Sequence, residues 1–198
     1  MNEENRSKCP EIAAGGQDLL KLVEPLIVMT GGLTLSQVAE VTGLQGTTIQ
    51  NWVKRGWVEN PTGKKYGEQQ LVRIFLINML RGTMQLDEIV ALMSYINGKV
   101  DDRSDDIIPD KRLYTFLCTV NSGIAPGEYG NTEKIRTLVK KELESYNEPI
   151  EGARQKLEDS LTVMALACQA AKIKNAATAE FRKLNIQQKG KNYADSNI

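Results

Sequence analysis

The apolar positions of the chain fall mostly at helical spacing, with glycines punctuating them. Leu19, Leu20, Leu22, Val23 and Leu26 outline a short packing helix ahead of the Gly31-Gly32 break. Leu35, Val38, Ala39 and Thr42 then follow i, i+3, i+4, i+7, which predicts a helix over 34–42 ended by Gly43. Ile49, Trp52 and Val53 share one face of a second short helix, 47–54, with Thr47 a suitable N-cap and Gly56 the stop. Asn60-Pro61-Thr62-Gly63 reads as a turn between Trp57-Val58 and Lys64-Lys65-Tyr66, the pattern of a small two-stranded wing. Residues 68–81 are apolar on nearly every side, as in a helix buried among others. Leu86, Ile89, Val90, Met93 and Ile96 form a cleaner stripe that Gly98 closes.

The pattern changes at 99–110 (KVDDRSDDIIPD), where two bases meet five acids, and the segment reads as a solvated linker. Beyond it the spacing predicts helices over 111–121 and 132–146, with a Gly-containing loop at 121–131, and a long helix near 149–184. In that last helix Ile150, Leu157, Met164 and Ala171 recur every seven residues beside Ala153, Leu161 and Cys168. A dimer seam and the core of an intramolecular bundle fit that repeat equally well. Strand signals are scarce, so the expected class is all-α with a small wing. The expected organisation is an N-terminal extension over 1–30, a head over 31–98, a linker over 99–110, a helical dimerisation or effector domain over 111–184, and a polar tail over 185–198.

Composition narrows the chemistry. The chain has 198 residues, 25 Lys+Arg against 25 Asp+Glu, and no histidine. Zero net charge means that any basic surface must be local. Without histidine there is no His-ligated metal site and no Ser-His-Asp or Cys-His catalytic system. Cys9, Cys118 and Cys168 lie far apart with no CxxC spacing, which points to neither a zinc knuckle nor a disulfide framework. No G-x-x-x-x-G-K loop and no convincing carboxylate pair is present, so no enzyme, cofactor or metal is expected. The polar start MNEENRSKCPEI and the lack of any run near the roughly 20 apolar residues of a membrane span lead to the expectation of a cytoplasmic, non-membrane protein.

What remains is the pair of short helices joined by a glycine turn, a helix-turn-helix arrangement whose second helix would face the major groove of double-stranded DNA. With Ile49, Trp52 and Val53 inward, the outward set is Thr48, Gln50, Asn51 and Lys54, side chains suited to base edges and phosphates. Lys64, Lys65 and Tyr66 on the wing would reach the flanking backbone, and Ser36, Gln37, Thr47 and Arg55 complete the candidate DNA-binding set. Over 44–81 six bases (Lys54, Arg55, Lys64, Lys65, Arg73, Arg81) face two acids (Glu59, Glu68), a local charge of +4. Trp52 and Trp57 are expected in the core of the head rather than stacked on bases. A second basic run, 172–191, reads as a solvated helix end.

The run Leu33-Thr34-Leu35-Ser36-Gln37-Val38-Ala39-Glu40-Val41-Thr42-Gly43-Leu44, then Thr48-Ile49, Trp52 and Gly56-Trp57-Val58, resembles the head of the MerR family of bacterial regulators. The likeness continues through Lys64-x-Tyr66, the helix from Glu68 to Leu80, and Leu86-Asp87-Glu88-Ile89. It covers about 60 residues, a third of the chain. The resemblance implies a winged helix-turn-helix, a homodimer, an inverted-repeat operator, and promoter distortion that lets RNA polymerase engage. It names no small-molecule effector. Gln50 stands where the family carries Arg, which removes a strong phosphate or guanine contact, and Lys64 replaces the wing Arg. The acidic, Pro-containing stretch after Gly98 interrupts the single long helix that the family places there. Two other readings share the head: a protein-interaction adaptor that has lost DNA binding, and an excisionase-like architectural DNA binder.

Overall fold

The computed structural model describes residues 18–98, 100, 102 and 104–184. The expectations for 1–12 and 185–198, and the site of Cys9, lie outside them. Eight α-helices and one two-stranded sheet make up the described residues, an all-α architecture. They are α1 (Leu19–Thr30), β1 (Leu33–Thr34), α2 (Leu35–Thr42), α3 (Gly46–Lys54), β2 (Lys65–Tyr66), α4 (Glu68–Leu80), α5 (Leu86–Asn97), α6 (Asp110–Ser122), α7 (Thr132–Leu143) and α8 (Ala153–Lys183).

Helix α4 is the centre. Leu71, Val72, Ile74, Phe75, Leu76, Ile77 and Leu80 are all at most 1 % exposed, as its unbroken apolar run requires. It packs against α1, α2 and β2 on one side and α5, α6 and α8 on the other. Helices α6, α7 and α8 pack on one another, and one apolar cluster runs from Leu19 to Cys168. The heptad of the long helix is therefore core: Leu157, Leu161, Met164 and Cys168 are buried, while Ile150 lies before α8 begins and is 62 % exposed.

The expected linker is solvated only in its first part. Asp102, Ser104 and Asp105 are exposed, but Ile107, Ile108 and Asp110 are buried. The two isoleucines dock into the common core, and Asn97 holds them there. Its Nδ2 donates to the Ile108 carbonyl at 2.6 Å and its Oδ1 accepts from the Ile108 amide at 3.3 Å. The Tyr146 hydroxyl donates to the Ile107 carbonyl at 2.8 Å. Asp110 accepts from Asn97 and faces Arg73 at 3.4 Å, both partners being buried. Charge on the linker predicted solvation; two adjacent isoleucines outweighed it, because burying such side chains yields roughly 1.5–3 kcal/mol each.

The sheet corrects the expected wing. Trp57-Val58 does not pair with 64–66; β1 does, antiparallel, with Leu33 opposite Tyr66 and Thr34 opposite Lys65. Trp57 instead closes α3. Its amide donates to the Trp52 carbonyl and that of Gly56 to the Val53 carbonyl, both at 2.9 Å, with Gly56 left-handed at φ 72°. Gly32 makes the strand pairing possible, since a Cβ there would lie 2.8 Å from the Tyr66 carbonyl oxygen.

Candidate nucleic-acid interface

Helix α2 is fixed by local chemistry. The Thr34 amide donates to Gln37 Oε1 at 2.8 Å and the Gln37 amide to Thr34 Oγ1 at 3.4 Å, a capping box, and Gly43 ends the helix in the left-handed region. Asn78 of α4 then donates to the Thr42 carbonyl at 3.1 Å, tying the end of α2 to the central helix. Gly46 brings α3 close: a Cβ there would lie 3.3 Å from Leu35. Ile49 and Trp52 are buried beneath α3, at 0 % and 2 % exposure, and Val53 is half-buried.

The opposite face of α3 is open. Thr47, Gln50, Asn51, Lys54 and Arg55 are exposed and Thr48 is half-buried. Among the described residues the side chains of Thr47, Thr48, Gln50, Asn51 and Lys54 make no hydrogen bond or ion pair. Thr47 is not the N-cap; Gln45 holds that position without a side-chain cap bond. The Arg55 guanidinium stacks 5.0 Å over the Trp57 ring, which is half-buried as expected of a core residue at its edge.

The wing narrows to a tight tip. Thr62 and Lys65 exchange backbone hydrogen bonds of 3.1 and 3.0 Å across Gly63 and Lys64, whose φ values are 58° and 64°. Positive φ at both central residues is the signature of a type I′ hairpin turn. Lys64 is the one non-glycine residue at positive φ among the described residues, and its side chain is exposed with no ion pair.

The remaining sequence candidates do other work. The Lys65 ammonium donates back to the Thr30 carbonyl at the end of α1. Tyr66 is 4 % exposed and belongs to the core, where burial raises its hydroxyl pKa, so it presents no surface to a phosphate. Gln37 uses its amide oxygen on Thr34, and Ser36 is exposed with its hydroxyl 3.4 Å from that of Thr34. Arg73 leaves the basic patch altogether, buried beside Asp110. The surface cations that stand clear of partners are thus Lys54 and Lys64, with Arg55 on Trp57; the local +4 read from sequence overstates the exposed charge. Sequence spacing carried no sign of the Arg73–Asp110 pairing, because the partners are 37 positions apart.

The cleft beside Arg73, lined by Glu59, Gln69, Gln70, Arg73, Val100 and Asp110, has room for about one water molecule and not for an effector. Among the described residues no cluster of three or more His, Cys, Asp or Glu side chains could hold a metal ion. No helix there is long and apolar enough to cross a membrane.

Residues 27–116 match a protein family described as "Domain of unknown function (DUF1836)". The match starts inside α1 and ends inside α6, so it takes in the helix pair, the wing, α4, α5 and the buried Arg73–Asn97–Asp110 cluster. Over 94 residues the chain is 36 % identical to the "Uncharacterized protein YkrK" of Bacillus subtilis (strain 168), covering 46 % of this chain and 40 % of that protein. The chain therefore spans well under half the length of this curated relative. No solved structure matches the chain. Neither description names an activity.

Proposed function

We propose that the chain is a sequence-specific DNA-binding transcriptional regulator of the bacterial, MerR-like type. In this reading the helix pair and hairpin tip form a winged helix-turn-helix, and a homodimer reads an inverted-repeat operator in the cytoplasm. The observation that carries it is the outward face of α3: polar, largely exposed and without internal partners, opposite a face that buries Ile49 and Trp52. Gln50 and Asn51 carry amides suited to adenine edges, and Thr47 and Thr48 carry hydroxyls. Lys54 and Arg55 at the end of α3 and Lys64 on the wing supply phosphate contacts, aided by the uncapped start of α3. Lys65, Tyr66, Gln37 and Arg73 drop out as contacts, and no small-molecule effector is assigned. RNA polymerase enters only if the bound site lies in a promoter.

The deciding experiment is sequencing of the DNA fragments that the purified chain selects from its source genome at moderate salt. A few sites sharing an inverted repeat are expected, and no enrichment by a folded protein overturns the reading. For a selected site, three phosphate contacts per protomer give a slope of log K against log salt of about −5 for a dimer. An adaptor function is the second reading. It is favoured by the apolar outer face of α1, where Leu22, Val28 and Met29 are 70–83 % exposed. Lys54→Glu with Lys64→Glu separates the two, abolishing DNA selection while leaving an α1 partner bound.

A further inference from the structure

Thr47, Thr48, Gln50, Asn51, Lys54 and Arg55 do not stand equally around α3. At about 100° per residue, Thr47, Asn51 and Lys54 lie within about 35° of the line opposite Ile49, Trp52 and Val53, one turn apart along it. Arg55, Gln50 and Thr48 stand about 65–90° from that line, and Thr48 is half-buried. The Arg55 guanidinium is stacked 5.0 Å over the Trp57 ring. Gln37 of α2 uses its Oε1 to accept from the Thr34 amide. The amide at the centre of the open ridge is therefore that of Asn51, exposed and without a side-chain hydrogen bond among the described residues.

We propose that Asn51 is the specificity-determining residue of the chain and that it reads an adenine in each half-site. The assignment rests on the DNA-binding reading above and narrows it to one side chain and one base. In the major groove adenine offers an acceptor, N7, beside a donor, the N6 amino group. The Asn51 amide matches both at once, its Nδ2 donating to N7 and its Oδ1 accepting from N6. Guanine shows two acceptors there, N7 and O6, so Oδ1 would face an oxygen and lose its bond. Thymine and cytosine each offer a single polar group, which leaves half of the amide unpaired. Thr47, one turn nearer the helix start that enters the groove, brings a methyl group suited to the thymine methyl of a neighbouring pair. Lys54, one turn later at the helix end, is a flexible point charge suited to a phosphate. The ridge carries no guanidinium, the group that most often reads guanine. Gln50, on the flank, faces a wall of the groove and carries little of the discrimination.

The test is selection from randomised DNA duplexes by the full chain at fixed salt, for the wild type and for Asn51→Ala, Gln50→Ala and Lys54→Ala. The wild type is expected to enrich sites with adenine at one position of each half-site, favoured over guanine there by about ten-fold. Asn51→Ala flattens the preference at that position to within about two-fold and keeps the others, whereas Gln50→Ala leaves it intact. Lys54→Ala weakens all sequences alike and lowers the salt slope by about 1 per protomer. Enriched sites whose preferences Asn51→Ala leaves unchanged overturn the proposal while the DNA-binding reading stands. The same holds if the adenine preference is lost in Gln50→Ala and kept in Asn51→Ala. A folded wild-type chain that enriches nothing overturns both. Asn51→Asp keeps the shape of the side chain and removes its donor, so it also loses the adenine preference. Retention of that preference overturns the proposal, and this readout does not depend on how the alanine variant folds.

Discussion

Lys64 sits in the left-handed region at the tip of the hairpin, where a side chain costs about 1–2 kcal/mol and glycine costs nothing. Strain of this kind marks a residue kept for something other than stability. Lys64→Gly is therefore expected to raise the melting temperature by about 2–4 °C while weakening DNA binding and lowering the salt slope. Thermal unfolding and titration of a selected site check the two halves separately. The cysteines are opposite in kind. Burial pushes the Cys118 thiol up to about 11 and the Cys168 thiol up to about 12. Thiols of an unfolded chain ionise near 8.5, so both groups contribute fully below that pH. Stability falls as pH rises from about 8.5 toward 12, because the unfolded state loses protons that the native state keeps. Denaturant titrations across that window test the sign. Thiol labelling at pH 8 should show both cysteines slow until the protein is unfolded.

Elements here are joined by buried polar clamps at their ends. Asn97, the last residue of α5, satisfies both backbone groups of Ile108 and reaches Asp110, the first residue of α6. Asp110 in turn balances Arg73 of α4, so three helices meet on one charge pair. Asp110→Ala leaves the Arg73 guanidinium buried without its carboxylate and is expected to cost about 3 kcal/mol or more, read by urea unfolding. Exchanging both partners for apolar residues of similar volume should cost much less, which distinguishes loss of pairing from loss of shape. Helix positions at this scale were legible from spacing: α4, α5 and the cores of α2 and α3 fall where the periodicity put them. The strand pairing was not, because Trp57-Val58 carries at least as much strand character as Leu33-Thr34, and the pairing depends on the close approach of Gly32 to the Tyr66 backbone, far apart in the chain.

For the whole molecule, one core from Leu19 to Cys168 makes the helix pair part of a larger cooperative unit. Helix α4 buries opposite sides against α1 and α2 and against α6 and α8. A fragment of residues 18–98 would expose the second side to water, and is expected to lose the cooperative melt that the full chain shows, by calorimetry of both. The same continuity gives a route from α8 to the candidate DNA face, since Thr83 donates to the Ala167 carbonyl and Asn78 to that of Thr42.

Local chemistry was enough to determine the all-α class, the ends of α2, the C-terminal stop of α3, the inward side of α3 and the polar character of its outward side, but not the start of α3, which Gln45 caps instead of Thr47. Those properties depend on side-chain periodicity and on capping within a few residues, which the order of residues already contains. Tertiary structure alone decided that Tyr66 is core, that Lys65 turns back to α1, that Arg73 is neutralised by Asp110, and that the acidic segment ends inside the protein. It also decided that the seven-residue repeat of α8, Leu157, Met164 and Ala171, is core. Each of these rests on contacts between residues tens of positions apart, where burial energy and pairing geometry outweigh what composition and charge suggest locally.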